Sequence, residues 1–145
     1  TAEDAKLAVE HDVDVIWVSN HGGRQLDHGI ATMDMLSEIT EVVGDKAGII
    51  LDGGILRGSD VIKALAMGAK AVAIGKLQGW GLAADGKDGV VRVLEILEEE
   101  MRVGMGLIGV TSIWQLTESH VCPAEATTPP HEMSSWVNMP GERLL

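Results

Sequence analysis

Three short apolar runs, each followed by a glycine-bearing polar stretch and then a helical pattern, restrict this chain to a parallel α/β arrangement. Residues 13–18, 49–51 and 71–74 read as strands, the first by its β-branched and aromatic content. Helical patterns lie between them. Residues 2–11 form one, with Thr1 as N-cap and Ala5, Ala8 and Val9 on one face. Thr32 is placed to cap a second, with Leu36, Ile39 and Val43 inward and Gly44 closing it. Ser59 is placed to cap a third, where Val61, Ile62, Leu65 and Ala66 face inward and Gly68 ends the helix. Helix and strand in strict alternation require right-handed crossovers and a parallel sheet. Strands without polar alternation suit a sheet covered on both faces. A doubly wound sheet and part of a (β/α)8 barrel both satisfy these conditions.

The pattern changes after Gly75. Val90, Val91, Leu94, Leu97 and Met101 predict a long helix over 87–103, with Glu95, Glu98, Glu99 and Glu100 on its solvated face. Thr111 starts a last short helix over 112–116. From about His120 the chain holds Pro123, Pro129, Pro130 and Pro140 with little periodicity. The expected organisation is therefore a folded part, residues 1–118, and an irregular tail, 119–145, loosely packed or packed on a partner.

With 145 residues, 46% of them apolar, the chain can build one real core. Its net charge of −11 argues against a nucleic-acid partner. No apolar run approaches the roughly 18 residues a membrane span needs. The lone Cys122 excludes an internal disulfide and fits a reducing, cytoplasmic setting. The acidic start, Thr-Ala-Glu-Asp, lacks both signal-peptide character and an initiator Met, which suits a piece of a longer chain.

In a parallel α/β fold the loops after the strands gather at one end, where active sites form. Those loops hold residues 19–27, residues 52–59 and the Gly75–Lys76 pair. The first offers His21, whose neutral imidazole can accept a proton, and Arg24, a planar fork suited to a carboxylate. Gly22 and Gly23 beside them let backbone approach a flat ligand. The second and third resemble a phosphate cradle: Asp52-Gly53-Gly54 at a strand end, Gly58-Ser59 opening a helix, then Gly75 with the cation Lys76. A pair of tight turns without a ligand would use the same glycines. His11, His28, His120 and His131 show no zinc spacing. Neither a Walker loop nor a Gly-x-Ser-x-Gly elbow occurs.

Three strings now carry a resemblance: SNHGGRQLD at 19–27, DGGILRGSD at 52–60 and KALAMGAKAVAIGK at 63–76. Together they closely resemble the FMN-dependent α-hydroxy-acid dehydrogenase and oxidase family, over about residues 1–118. The resemblance implies that the strands are the sixth, seventh and eighth of a (β/α)8 TIM barrel. It implies oxidation of an L-2-hydroxy acid to a 2-oxo acid, with His21 as base and Arg24 on the substrate carboxylate. His21 would take either the hydroxyl proton or the α-proton. Ser19 resembles a flavin contact. The turn Asp52, Gly53, Gly54, Ile55, Leu56 and Arg57 resembles the hold on the ribityl and phosphate part of FMN, and Gly75 and Lys76 the phosphate pair.

Two positions depart from the family pattern. Leu56 stands where the first arginine of Asp-Gly-Gly-x-Arg-Arg-Gly belongs, and Lys76 replaces an arginine, keeping charge but losing the fork. The family's first five strands, with their flavin-contacting lysine, histidine-orienting carboxylate and substrate-binding tyrosines, have no counterpart here. The chain contains no Tyr at all. Three strands cannot close a barrel, so their inner faces should stay open and the isolated chain inactive. Its expected partners are the missing barrel half or other subunits, with a homo-oligomer among the options. A degenerate half-barrel that binds phosphate or flavin, or serves as an interaction module, is the alternative. A type 2 isopentenyl-diphosphate isomerase or an inosine-monophosphate dehydrogenase fits less well, since neither needs the His21–Arg24 pair.

Overall fold

The computed structural model describes residues 1–25 and 29–124. Leu26, Asp27 and His28, and most of the expected tail, therefore lie outside the described residues. The elements run α1 (Ala2–Glu10), β1 (Val15–Val18), α2 (Thr32–Val43), β2 (Gly48–Asp52), α3 (Gly58–Ala66), β3 (Ala71–Ala73) and α4 (Lys76–Leu107), with 3-10 turns at His21–Gly23, Ile113–Gln115 and Glu118–His120.

The strands lie in the order β1-β2-β3 and pair in parallel. Sequential order with parallel pairing leaves each connection to cross over on a helix, as the alternation requires. Val18, Ile49 and Leu51 point to one face and join Ala5 of α1, Leu36, Ile39 and Val43 of α2, and Val61 and Ala64 of α3 in one core. Leu36, Val43 and Leu51 are completely enclosed there. Those helices thus cover the same side of the sheet. A doubly wound sheet would place them on both sides, so the winding is the barrel type.

The opposite face is open, as expected of three strands that cannot close a barrel, although strand composition by itself suggested cover on both sides. Val15 is 49% and Trp17 58% exposed, aligned by register with Gly48 and Ile50. Strand composition could not distinguish the two cases, because the inside of a barrel is as apolar as its helix-covered outside.

Several boundaries differ from the sequence reading for identifiable reasons. β1 begins at Val15, because α1 closes through backbone bonds from His11, Asp12 and Val13 back into its last turn. Thr32 does not cap α2; Ala31 does, and Thr32 is the first helical residue, buried, with its hydroxyl donating to the Asp52 carbonyl. Ser59 does not cap α3. Arg57 is the N-cap, and the Asp60 carboxylate accepts from the backbone N–H groups of Leu56 (3.1 Å) and Arg57 (3.0 Å).

The largest difference is α4. It starts at Lys76 and ends at Leu107, rather than spanning 87–103, and is interrupted at Asp85 and Gly86 by non-helical backbone. Gly86 adopts φ +52°, a left-handed conformation that glycine takes without a side-chain clash. The break lets the two parts of α4 close on each other through buried Gly81 and Gly89. A Cβ added at Gly89 would land on the Gly81 carbonyl oxygen. Val91 and Leu94, expected inward, are 46% and 53% exposed.

The last short helix reduces to the turn Ile113–Gln115, with Ser112 rather than Thr111 as its cap. Beyond it, Val110, Leu116 and Val121 pack with Ile62 and Ala66 of α3 as a second apolar cluster.

Candidate active site

Parallel strands bring the loops after β1, β2 and β3 to one rim. The first loop turns immediately after β1. The His21 backbone N–H donates to the Ser19 hydroxyl (3.1 Å), the Gly23 N–H to the Asn20 carbonyl (3.1 Å) and the Arg24 N–H to the His21 carbonyl (3.3 Å). Asn20 ties down the far side, its Nδ2 donating to the Ile30 carbonyl at 3.2 Å. Within this turn His21 has φ +56°, an uncommon conformation for a residue with a Cβ. Such conformations cost about 1–3 kcal/mol and collect at functional sites. The His21 and Arg24 side chains are exposed. Among the described residues no carboxylate pairs with Arg24.

The second loop is anchored at Asp52. Its carbonyl accepts from the Thr32 hydroxyl, and its Oδ2 accepts from the indole Nε1 of Trp17 at 2.9 Å. Gly53 follows with φ +95°, where a Cβ would sit 2.9 Å from the Thr32 oxygen. Gly54, by contrast, opens onto free space. The next side chain, Ile55, turns away from the rim. It is buried in the main core, and Leu56 is half-buried.

Arg57 reaches outward to α4. Its Nη1 donates to Glu100 Oε1 at 2.7 Å, and the Gly58 backbone N–H donates to Glu100 Oε2 at 2.8 Å. Glu100 is therefore not a member of the solvated acidic face. Its helical phase carries it to α3, and the Gly58 N–H, aided by Arg57, holds its carboxyl below the usual carboxylate range. This also corrects the cradle as first drawn. The N–H groups of Leu56, Arg57 and Gly58 already serve the chain's own carboxylates, Asp60 and Glu100.

The third loop meets the first. Lys76 extends toward it, its Nζ 3.5 Å from the Gly22 carbonyl oxygen, and its Cε and Nζ lie 3.8 Å from where a Gly22 Cβ would be. Gly75 opens onto free space. The rim thus collects Ser19, His21, Arg24, Asp52, Gly53, Gly54, Gly75 and Lys76, while Ile55 enters the core and Arg57 pairs with α4. Sequence reasoning missed Trp17, Thr32 and Asn20 as the residues that fix these loops. For Trp17 a signal existed, since alternation along β1 puts it on the same face as Ser19.

An exposed histidine and arginine, open glycine backbone and a lysine thus lie together on the strand-end rim of the three βα units. Comparison identifies the family. The family model for FMN-dependent dehydrogenases matches residues 1–123. The chain is 56% identical over 111 residues to 2-hydroxyacid oxidase 1 of Mus musculus, covering 77% of this chain and 30% of that protein. It is 51% identical over 117 residues to L-lactate oxidase of a Nostoc species, covering 81% and 32%. A crystal structure of mandelate oxidase with (S)-2-phenylpropionate superposes with a TM-score of 0.76 at 48% identity, over 79% of this chain and 34% of that one. The chain belongs to the FMN-dependent dehydrogenase family. It spans about a third of the length of the curated relatives it matches.

Proposed function

We propose that this chain supplies the sixth to eighth βα units, residues 1–118, of a (β/α)8 barrel that oxidises an L-2-hydroxy acid to the 2-oxo acid with FMN as cofactor. The observation that carries the reading is the strained, exposed His21–Arg24 turn, set on a rim that also presents Gly54, Gly75 and Lys76. Arg24 offers its planar fork to the substrate carboxylate. His21 accepts the proton released from the hydroxyl or from the α-carbon. When bound, FMN accepts the two electrons of the oxidation.

The residues present fit that cofactor. Gly54 and Gly75 leave backbone open to close approach, and Lys76 places a cation at Gly22 on the same rim. Ser19, Asp52, Gly53 and Gly54 would hold the ring and ribityl part, while Ile55, buried in the core, and Leu56, whose N–H donates to Asp60, shape the turn. Gly75 and Lys76 would hold the phosphate. Arg57 acts indirectly, by fixing the loop through Glu100. The rest of the barrel would come from additional sequence or from other subunits, and copies of the whole protein would assemble as a homo-oligomer. A second reading, a phosphate- or flavin-binding module without catalysis, draws on Leu56 in place of an arginine.

The test is anaerobic mixing of the FMN-loaded full-length protein with glycolate, lactate or mandelate. Bleaching of the oxidised flavin band by one of them is expected. His21→Ala should slow that bleaching by about 10²–10⁴-fold, and Arg24→Ala should chiefly raise the acid concentration needed for saturation. FMN uptake with no bleaching by any 2-hydroxy acid would select the module instead.

A further inference from the structure

We infer that Trp17 is a positioning residue: its indole N–H fixes the Asp52 carboxylate so that one oxygen faces the polyol part of the cofactor. This rests on the FMN reading above. Trp17 and Ile50 are register partners on β1 and β2, so Asp52, two residues further along β2, is the diagonal neighbour of Trp17 on the open face. A diagonal of that kind is within reach of a long aromatic side chain, and the Nε1–Oδ2 distance is 2.9 Å.

Trp17 lies beside its register partner Ile50 on the open face, 58% exposed, with its indole ring edge toward Asp52. Indole is a donor with no acceptor capacity. It engages Oδ2 in one sense and leaves Oδ1 as the acceptor for a hydroxyl. Thr32 holds the Asp52 carbonyl, and Gly53 has no room for a side chain beside that hydroxyl. Backbone and carboxylate are thus fixed separately, by α2 and by β1. An aspartate held in one rotamer binds a polyol hydroxyl without losing that freedom on binding.

The readout is the dissociation constant of FMN, measured by fluorescence titration of the FMN-free full-length protein, alongside the melting temperature of each variant. Trp17→Phe should weaken FMN about three- to tenfold, the range of one net hydrogen bond. Replacing Trp17 by β-(3-benzothienyl)alanine keeps the ring shape, removes the N–H, and should reproduce that loss in a folded protein. In an Asp52→Ala background the same replacements should change affinity less than about twofold, because the group they act through is gone. Unchanged FMN affinity with the isostere, or an equal loss in both backgrounds, overturns the inference. Wild-type protein that takes up no FMN overturns the cofactor reading itself, and the inference with it.

Discussion

At the scale of single residues, the site depends on positions where backbone geometry leaves little choice. Gly53 combines a left-handed φ with a Thr32 oxygen where its Cβ would be. Gly53→Ala should therefore destabilise the fold by about 1–3 kcal/mol, through strain and displacement of the Thr32–Asp52 bond. Gly54→Ala meets free space and should be limited to the cost of its own φ. Thermal melts of the two variants compare them directly, and equal losses would show that the Thr32 contact is unimportant. The sequence singled out His21, Arg24, Asp52 and Lys76 on residue type, and the structure places them on one rim. Thr32 and Asn20 could not be singled out in that way. Their roles lie in bonds to backbone carbonyls of Asp52 and Ile30, and a threonine at a helix start looks the same whether it caps or tethers.

At the scale of elements, α3 and α4 are joined by one carboxylate. Glu100 bridges the Arg57 guanidinium and the Gly58 N–H, with 30% of its side chain exposed. Because its folded pKa lies below the ordinary value, its contribution is complete above the usual carboxylate range and is lost as pH falls through the lowered value. Glu100→Gln should cost about 1 kcal/mol near neutrality and flatten the acid limb of the stability profile. An unchanged acid limb in urea titrations at several pH values would remove the linkage. The sequence placed Glu100 among exposed glutamates because four acidic residues within six positions look like one solvated face. Glu100, however, follows buried Leu97 by three residues, on the helix face that packs against α3. The break at Asp85–Gly86 hid the first part of α4. Gly79, Gly81, Gly86 and Gly89 lower helix propensity, and the contact between Gly81 and Gly89 is tertiary. Gly89→Ala, favourable by propensity alone, should lower the melting temperature because its Cβ has nowhere to go.

At the scale of the whole molecule, parallel pairing was legible from alternation, whereas strand order was not, because the same alternation suits a doubly wound sheet and a barrel. The helices close one side and leave Val15 and Trp17 bare on the other. Both outer strands, β1 and β3, have an unpaired edge within the described residues. The 145 residues by themselves should associate in a concentration-dependent way and turn over no 2-hydroxy acid. A monodisperse monomer at high concentration in sedimentation experiments would argue against this. The open face also has an optical consequence. With no Tyr and no Phe among its residues, all intrinsic fluorescence of this chain comes from tryptophan, and Trp17 lies on the open face that the remaining strands of the proposed barrel would cover. Closure of the barrel should shift its emission to the blue, giving assembly a native colour change that needs no label.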